Sequence, residues 1–127
     1  MNKFQRAKRA LKSFLEERGF TVWLDKALKG FSGTEHVFDV VAVKGDTVVC
    51  FIFSGGDENQ ALCSAAKAID FEHTRVFLLL SETQTREVPE YLKRIKGLEV
   101  VFYRDIKDLL RKIDSLMIRR PNKRESA

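Results

Sequence analysis

The apolar positions in the first half of the chain change from a helical period to an extended one. In residues 2–18 they recur at three- and four-residue spacing, which predicts an amphipathic helix that Gly19 ends. Three strands are predicted next, over residues 20–24, 36–43 and 48–53. The last of these has no polar alternation, so we expect a central strand that is buried on both faces.

The second half of the chain alternates between helical and strand-like segments. The predicted elements are a helix over 58–72, a strand over 76–80, a helix over 85–96, a strand over 98–102 and a helix over 105–118. Hairpin strands are antiparallel, whereas strands joined by helices are parallel neighbours. The pattern therefore predicts an α/β fold in the order αβββαβαβα, with a mixed sheet and helices on both faces.

Length and composition are those of one ordinary globular domain. The chain has 127 residues, of which 44% are hydrophobic and 32% are charged. We expect a single domain over 1–118, followed by a basic, disordered tail over 119–127. No apolar run approaches the roughly 20 residues that a bilayer-spanning helix needs, so we expect a cytoplasmic protein without a membrane partner.

Positive charge is concentrated at the two ends of the chain. The net charge is +5, and residues 1–12 contain five bases and no acid. This distribution is compatible with a polyanionic partner such as nucleic acid, although a solvated face that aids solubility explains it equally well. The basic candidates for nucleic-acid binding are Lys3, Arg6, Lys8, Arg9, Lys12, Arg119 and Arg120.

Asp39 is an isolated acid on an otherwise apolar strand, between Phe38 and Val40. Burying a lone carboxylate costs several kcal/mol unless a partner compensates its charge. Asp39 is therefore the leading candidate for a functional residue.

The residues around Asp39 resemble a known nuclease family. Ser32-Gly33, followed by the strand from His36 to Ala42, resembles the loop and strand of Mrr-like domains in the restriction-endonuclease-like superfamily, whose motif is PD-(D/E)xK. The resemblance implies a restriction-endonuclease-like fold and Mg²⁺-dependent hydrolysis of phosphodiesters. In that chemistry two carboxylates hold the metal and a lysine positions the attacking water.

The resemblance assigns Asp39 to the first acid of the motif. It places the remaining triplet at Ile52-Phe53-Ser54, where neither Glu nor Lys is present. We therefore expect a catalytically degenerate domain that requires no cofactor.

Other residues are candidates to replace the missing triplet. Glu17, Asp57 and Glu58 are possible second acids, and Lys67 and Lys44 are possible bases. An active protein would use Asp39, Glu17 and Lys67 in catalysis, and would bind Mg²⁺ through Asp39, Glu17 and Asp57. Ser32, Gly33 and His36 are candidate nucleic-acid contacts in the loop, although a loop histidine bonded to backbone is the simpler interpretation of His36.

Three functions are consistent with these features. The first is a degenerate nuclease-like domain that binds nucleic acid, with DNA expected, or a transcription or repair complex. The second is an active Mg²⁺-dependent endodeoxyribonuclease with migrated catalytic residues. The third is a protein-interaction module similar to the archaeal TATA-binding-protein-interacting family. The apolar stripe over 105–118 predicts packing on the sheet or a homodimer interface.

Overall fold

The computed structural model describes residues 3–125 apart from residues 56, 72, 73 and 86, with side chains described between residues 4 and 117. The elements are α1 (Lys3–Glu17), β1 (Thr21–Lys29), β2 (Glu35–Lys44), β3 (Thr47–Ser54), α2 (Glu58–Asp70), β4 (Arg75–Ser81), a 3-10 helix (Glu90–Arg94), β5 (Leu98–Tyr103) and α3 (Ile106–Glu125). Their order confirms the predicted αβββαβαβα arrangement, with a 3-10 helix in the third helical position.

The five strands form one mixed sheet in the spatial order β1-β2-β3-β4-β5. The first three strands are antiparallel neighbours, and β4 and β5 continue the sheet in parallel to β3. The predicted α/β class and mixed sheet are confirmed. The central strand β3 is apolar on both faces because Phe51 packs into one core and Cys50 into the other.

Helices cover both faces of the sheet, as predicted. On one face, α1 and α3 enclose a core that contains Leu11, Leu15, Leu109 and Ile113. On the other face, α2 packs through small residues, and Leu92 of the 3-10 helix completes that core. The apolar stripe of α3 therefore contributes to the core of its own sheet.

The predicted helix over 85–96 is wrong, because only Glu90–Arg94 is helical and as a 3-10 helix. Pro89 precedes it with ψ of 138°, and Ile95 follows it in an extended conformation. A proline disfavours helical conformation in the residue before it, which removes the first turn of the predicted helix.

The C-terminal boundary also differs from the prediction. Helix α3 continues to Glu125, where a disordered tail was expected from residue 119. Within the described residues, no helix combines the length and the hydrophobicity that crossing a bilayer requires.

Candidate functional site

Asp39 lies on β2 where this strand stops pairing with β3. The antiparallel register between the two strands ends with Val40 opposite Phe51. Beyond that pair, the backbone N–H of Phe53 donates a hydrogen bond of 2.6 Å to Oδ2 of Asp39. The carboxylate thus replaces the backbone carbonyl that would accept this hydrogen bond if the two strands continued to pair.

The alternation of β2 side chains between the two faces of the sheet is interrupted at Asp39. Val40 packs in the core beneath α1 and α3, and Val41 packs in the core beneath α2. Strict alternation would place Phe38 with Val40, but Phe38 lies in the same core as Val41. The alternation is therefore broken at Asp39, whose side chain is 26% exposed.

A second carboxylate faces Asp39 from the edge strand. The register of β1 and β2 places Asp25 opposite Asp39, because Leu24 pairs with Val40 and Lys26 pairs with Phe38. Asp25 has a positive φ of 51°, a conformation that aspartate tolerates better than most residues. The sheet edge is therefore irregular on both strands at the level of these two acids.

Lys8 of α1 inserts its ammonium between the two acids. Its Nζ lies 2.8 Å from Oδ1 of Asp25 and 3.4 Å from Oδ1 of Asp39. Since one nitrogen contacts both oxygens, the carboxylates lie within about 6 Å of each other, a separation at which charges interact strongly. The lysine is 8% exposed.

The ionisation of Lys8 is stabilised by these partners. Burial alone lowers the pKa of the amine, but the hydrogen bond to Asp25 and the charges of Asp39 and Asp25 outweigh that effect and raise the pKa. Lys8 therefore remains a cation at neutral pH. The cluster of Lys8, Asp25 and Asp39, here called the closed acid pair, carries its own counter-ion.

The assignment of Lys8 to a nucleic-acid-binding surface is wrong, because its ammonium is buried and ion-paired. Its position was visible in the sequence, since Lys8 follows Phe4 by four residues and precedes Leu11 by three. This spacing places Lys8 on the apolar stripe of α1. Asp25 gave no comparable signal, because an acid on an edge strand usually faces solvent.

A cleft of about 340 Å³ opens on the other side of Asp39, between the end of β3 and α2. Lys67 lines this cleft, and its Nζ donates a 2.6 Å hydrogen bond to the carbonyl oxygen of Val37. The structure thus places Lys67 and Asp39 in one cleft. The other polar side chains of the cleft are Ser54, Asn59, Gln60, Cys63 and Ser64.

The predicted triplet position lies next to Asp39 in space, without the side chains that catalysis requires. Ile52 is buried beneath α2, and Phe53 packs against Phe4 and Tyr103. The hydroxyl of Ser54 donates to the side chain of Gln60. No carboxylate or ammonium is presented by these three residues of β3.

The predicted second acids lie elsewhere. Glu17 is exposed and ends α1, nine residues after Lys8, which separates them by about 13 Å along the helix axis. Asp57 caps α2 by accepting the backbone N–H of Gln60 at 2.9 Å. Among the described residues, no group of three or more His, Cys, Asp or Glu side chains is placed to hold a metal ion.

The alternative residues are also separated from Asp39. Glu58 accepts a 3.5 Å hydrogen bond from the hydroxyl of Tyr91. Lys44 lies at the hairpin end of β2 and donates to the carbonyl oxygen of Arg18. Among the described residues, Asp39, Glu17 and Asp57 are not brought together as a set of metal ligands.

The loop candidates Ser32, Gly33 and His36 belong to a second cluster around Asp70. Ser32 donates through its backbone N–H and its hydroxyl, each at 2.7 Å, to the Asp70 carboxylate. Nε2 of His36 lies 2.9 Å from the same carboxylate. The hydroxyl hydrogen bond from Ser32 is the main cause of a lowered pKa of Asp70, and His36 contributes further.

This Asp70 cluster fixes the loop between β1 and β2. The backbone N–H of Gly33 donates to the carbonyl oxygen of Gly30, so it points into the loop. The polar groups of Ser32 and His36 also face Asp70, so they are bonded within the protein, and their contact with nucleic acid stays a prediction. The interpretation of His36 as bonded to backbone is wrong, since its partner is a carboxylate.

The remaining basic candidates lie on the outer surface of α1. Arg6 and Arg9 are exposed and have no ion-pair partner among the described side chains. Lys12 pairs with Glu16 at 2.8 Å one turn along the helix. The side chains of Lys3, Arg119 and Arg120 lie outside the described residues.

Comparisons with known proteins bear on the fold. No family model matches the chain, and no curated protein matches it. A solved structure, a protein of unknown function called AF1548, is 19% identical, with a TM-score of 0.60. The match covers 89% of this chain and 67% of the other. It shows a shared fold.

Proposed function

We propose that this chain is a restriction-endonuclease-like domain that binds nucleic acid without cleaving it. The observation that carries this proposal is the position of Lys8 Nζ, between the carboxylates of Asp25 and Asp39. In the nucleases that the sequence resembles, acids at this end of the hairpin hold Mg²⁺. Here a tethered ammonium contacts both acids.

The proposed lack of hydrolysis is supported by how Asp39 is bonded. Oδ2 accepts the backbone N–H of Phe53, and Oδ1 faces the Lys8 ammonium. A Mg²⁺ ion would have to displace Lys8 and recruit further ligands, since magnesium requires near-octahedral oxygen coordination. The neighbouring residues of β3 supply no second carboxylate and no catalytic lysine.

Nucleic-acid binding is supported by the outer face of α1. Arg6 and Arg9 project from the helical turns that hold Lys8, and no described carboxylate neutralises them. Their charge is therefore available for phosphate oxygens, to which arginine can donate two hydrogen bonds at once. Contacts of this kind bind the backbone of DNA or RNA and do not distinguish sequence.

The test measures affinity and cleavage on the same protein. Fluorescence anisotropy with short DNA and RNA duplexes should show binding that weakens steeply as KCl is raised, because each phosphate contact releases counter-ions. Incubation with Mg²⁺ or Mn²⁺ should leave the substrates intact. Salt-independent binding would contradict the proposal. Metal-dependent cleavage that Asp39→Ala abolishes would favour the active endonuclease.

A protein-interaction module is a second candidate, favoured by exposed apolar side chains beside the Asp70 cluster. Phe31 is 89% exposed, and its backbone N–H donates to the carbonyl oxygen of Asp70 at 2.9 Å. Leu62 and Ile69 of α2 are also mostly exposed, at 54% and 62%. Capture of a protein that survives nuclease treatment, and that Phe31→Ser weakens, would support this role.

A further inference from the structure

A second cavity, of about 370 Å³, lies where α1 ends and the hairpin between β2 and β3 turns. It is at the end of the sheet away from Asp39, and its size falls within the range of small-molecule sites. Three basic side chains and one acid line it, together with apolar surface: Arg18, Lys44, Arg75, Asp114, Phe20 and Met117. We call this cavity the hairpin pocket.

Lys44 supplies positive charge that no acid balances. Its ammonium donates to the carbonyl oxygen of Arg18 at 2.9 Å and lies 5.6 Å from the centre of the Phe20 ring. Within the described part of the chain, it has no carboxylate partner. Since an ammonium has three N–H donors, the carbonyl leaves donor capacity for a ligand.

Arg75 adds an N–H donor that lacks an acceptor. Its Nε donates to Glu99 at 2.6 Å, and Nη2 reaches the carbonyl oxygen of Leu116 at 3.4 Å. Nη1 is buried without a hydrogen-bond partner among the described residues. An oxygen anion bound here would satisfy that donor once the guanidinium turns it towards the pocket, since Nη1 is buried in the described conformation.

The ion pair between Arg18 and Asp114 limits where an anion can bind in the pocket. Arg18 Nε contacts Asp114 at 3.1 Å, so the charge of this arginine is already matched. The charge of Arg75 is likewise matched, by Glu99 at 2.6 Å. An anion is therefore favoured beside Lys44, whose charge no described carboxylate matches, and an apolar body would lie against Phe20 and Met117.

We propose that the hairpin pocket binds a small organic anion, in which a phosphate monoester or a carboxylate is attached to an aromatic or aliphatic ring. The anionic group contacts Lys44 and Arg75, and the ring replaces water on the apolar wall. This site is separate from the closed acid pair and does not depend on nucleic-acid binding.

The experiment titrates the isotopically labelled full chain with phenyl phosphate, benzoate and phenol, and follows backbone amide resonances by NMR. At least one anion should produce saturable shifts centred on Thr47 and Val49, which line the pocket, whereas phenol should not. Benzoate and phenyl phosphate distinguish a carboxylate from a phosphate. The proposal is overturned if neither anion shifts these resonances, or if phenol shifts them equally.

A variant pair tests the role of charge. Lys44→Gln should weaken binding of the preferred anion by about fivefold or more, because it removes a charged donor. Lys107→Gln removes the same charge from an exposed position on α3 and should leave the affinity unchanged. Equal weakening in both variants would refute a specific site. If Lys44→Gln does not fold, the chemical-shift changes measured on the unaltered protein still decide the test.

Discussion

The backbone N–H of Phe53 donates to the carboxylate of Asp39 at 2.6 Å, just beyond Val40 and Phe51, the last paired residues of β2 and β3. At Phe53 the main chain, and not a side chain, contacts the carboxylate. With the Lys8 ammonium 3.4 Å from the other oxygen, both oxygens of the Asp39 carboxylate contact protein groups. Asp39 can therefore be explained as a structural residue that joins the ends of β2 and β3 to α1.

Replacing Lys8 tests whether the closed acid pair needs its counter-ion. Lys8→Met keeps the unbranched stem of the side chain, one atom shorter, but leaves Asp25 and Asp39 close together without a cation. We expect the free energy of unfolding in urea to fall by about 1–3 kcal/mol, as for hydrogen bonds to charged groups, with the exposure of Asp25 keeping the loss moderate.

A double variant separates the charge from the packing of the lysine stem. Adding Asp25→Asn to Lys8→Met should recover part of the lost stability, since one of the two repelling charges is removed. If the two substitutions destabilise additively, the ion pair does not couple these residues and the counter-ion role is wrong.

Divalent cations provide a second test of the same cluster. Mg²⁺ or Mn²⁺ should leave the Tm of the unaltered protein unchanged, because the Lys8 ammonium already contacts both acids. In Lys8→Gln the acids face each other without that cation, and binding of a metal should raise the Tm. Differential scanning calorimetry with Mg²⁺, Mn²⁺ and a matched concentration of KCl makes the comparison. An equal rise in both proteins would show that Lys8 does not exclude metal.

The differences between predicted and observed structure have local causes. The strands and their order follow from apolar runs that are readable in the sequence. Within the predicted helix over 85–96, Val88, Leu92 and Ile95 have a helical spacing that also suits a chain extended around a single 3-10 turn. Periodicity does not distinguish these two backbones when all three residues face one core.

The site was harder to predict because its contacts join residues that are far apart in the sequence. Lys8 and Asp25 are 17 residues apart, and Ser32 and Asp70 are 38 apart. Local patterns identify Asp39 as unusual but give no information on which partners the fold brings to it. The missing triplet, by contrast, was readable directly, since it depends on residue identity alone.

Removing the free arginines of α1 tests the nucleic-acid surface. Arg6→Gln with Arg9→Gln should weaken binding to a DNA duplex by about tenfold or more at low salt. It should also reduce the slope of log affinity against log salt by about 2, because two phosphate contacts are lost. Fluorescence anisotropy over a KCl series measures both quantities.

The control carries the same change of charge on another surface. Arg94→Gln with Lys96→Gln alters two exposed bases at and just after the 3-10 helix, on the side of the sheet away from α1. This double variant should retain most of the affinity. Similar losses in both double variants would indicate a general effect of net charge, and the assignment to α1 would fail.

Acid should destabilise the N-terminal end of α3. Asp108 accepts a hydrogen bond from the backbone N–H of Arg104 at 3.0 Å, and this bond, together with the charge of Lys112, lowers the pKa of Asp108 to about 2 although burial opposes the shift. A lowered pKa in the folded state stabilises the protein above the unfolded pKa of about 3.9. This contribution is lost as the pH falls towards 2.

The variant Asp108→Asn isolates this contribution. At pH 6 it should lower the free energy of unfolding by about 1–2 kcal/mol, as expected for loss of a helix cap. The difference from the unaltered protein should shrink between pH 4 and pH 2, as measured by urea unfolding. The pKa of Asp70 is lowered as well, but Asp70 is present in both proteins, so the difference in their free energies of unfolding reports on Asp108. A difference that stays constant with pH would contradict the prediction.

Gly30 should tolerate no side chain while Asp70 holds the loop. A β-carbon at residue 30 would collide with Oδ2 of Asp70, the oxygen that accepts from Ser32 and His36. Gly30→Ala should therefore displace the carboxylate, break these hydrogen bonds and cost about 1–3 kcal/mol of stability. In an Asp70→Ala background the obstruction is gone, so the same substitution should cost much less. A double-mutant cycle by urea unfolding measures this coupling, and additive effects would show that Gly30 is not required by its contact with Asp70.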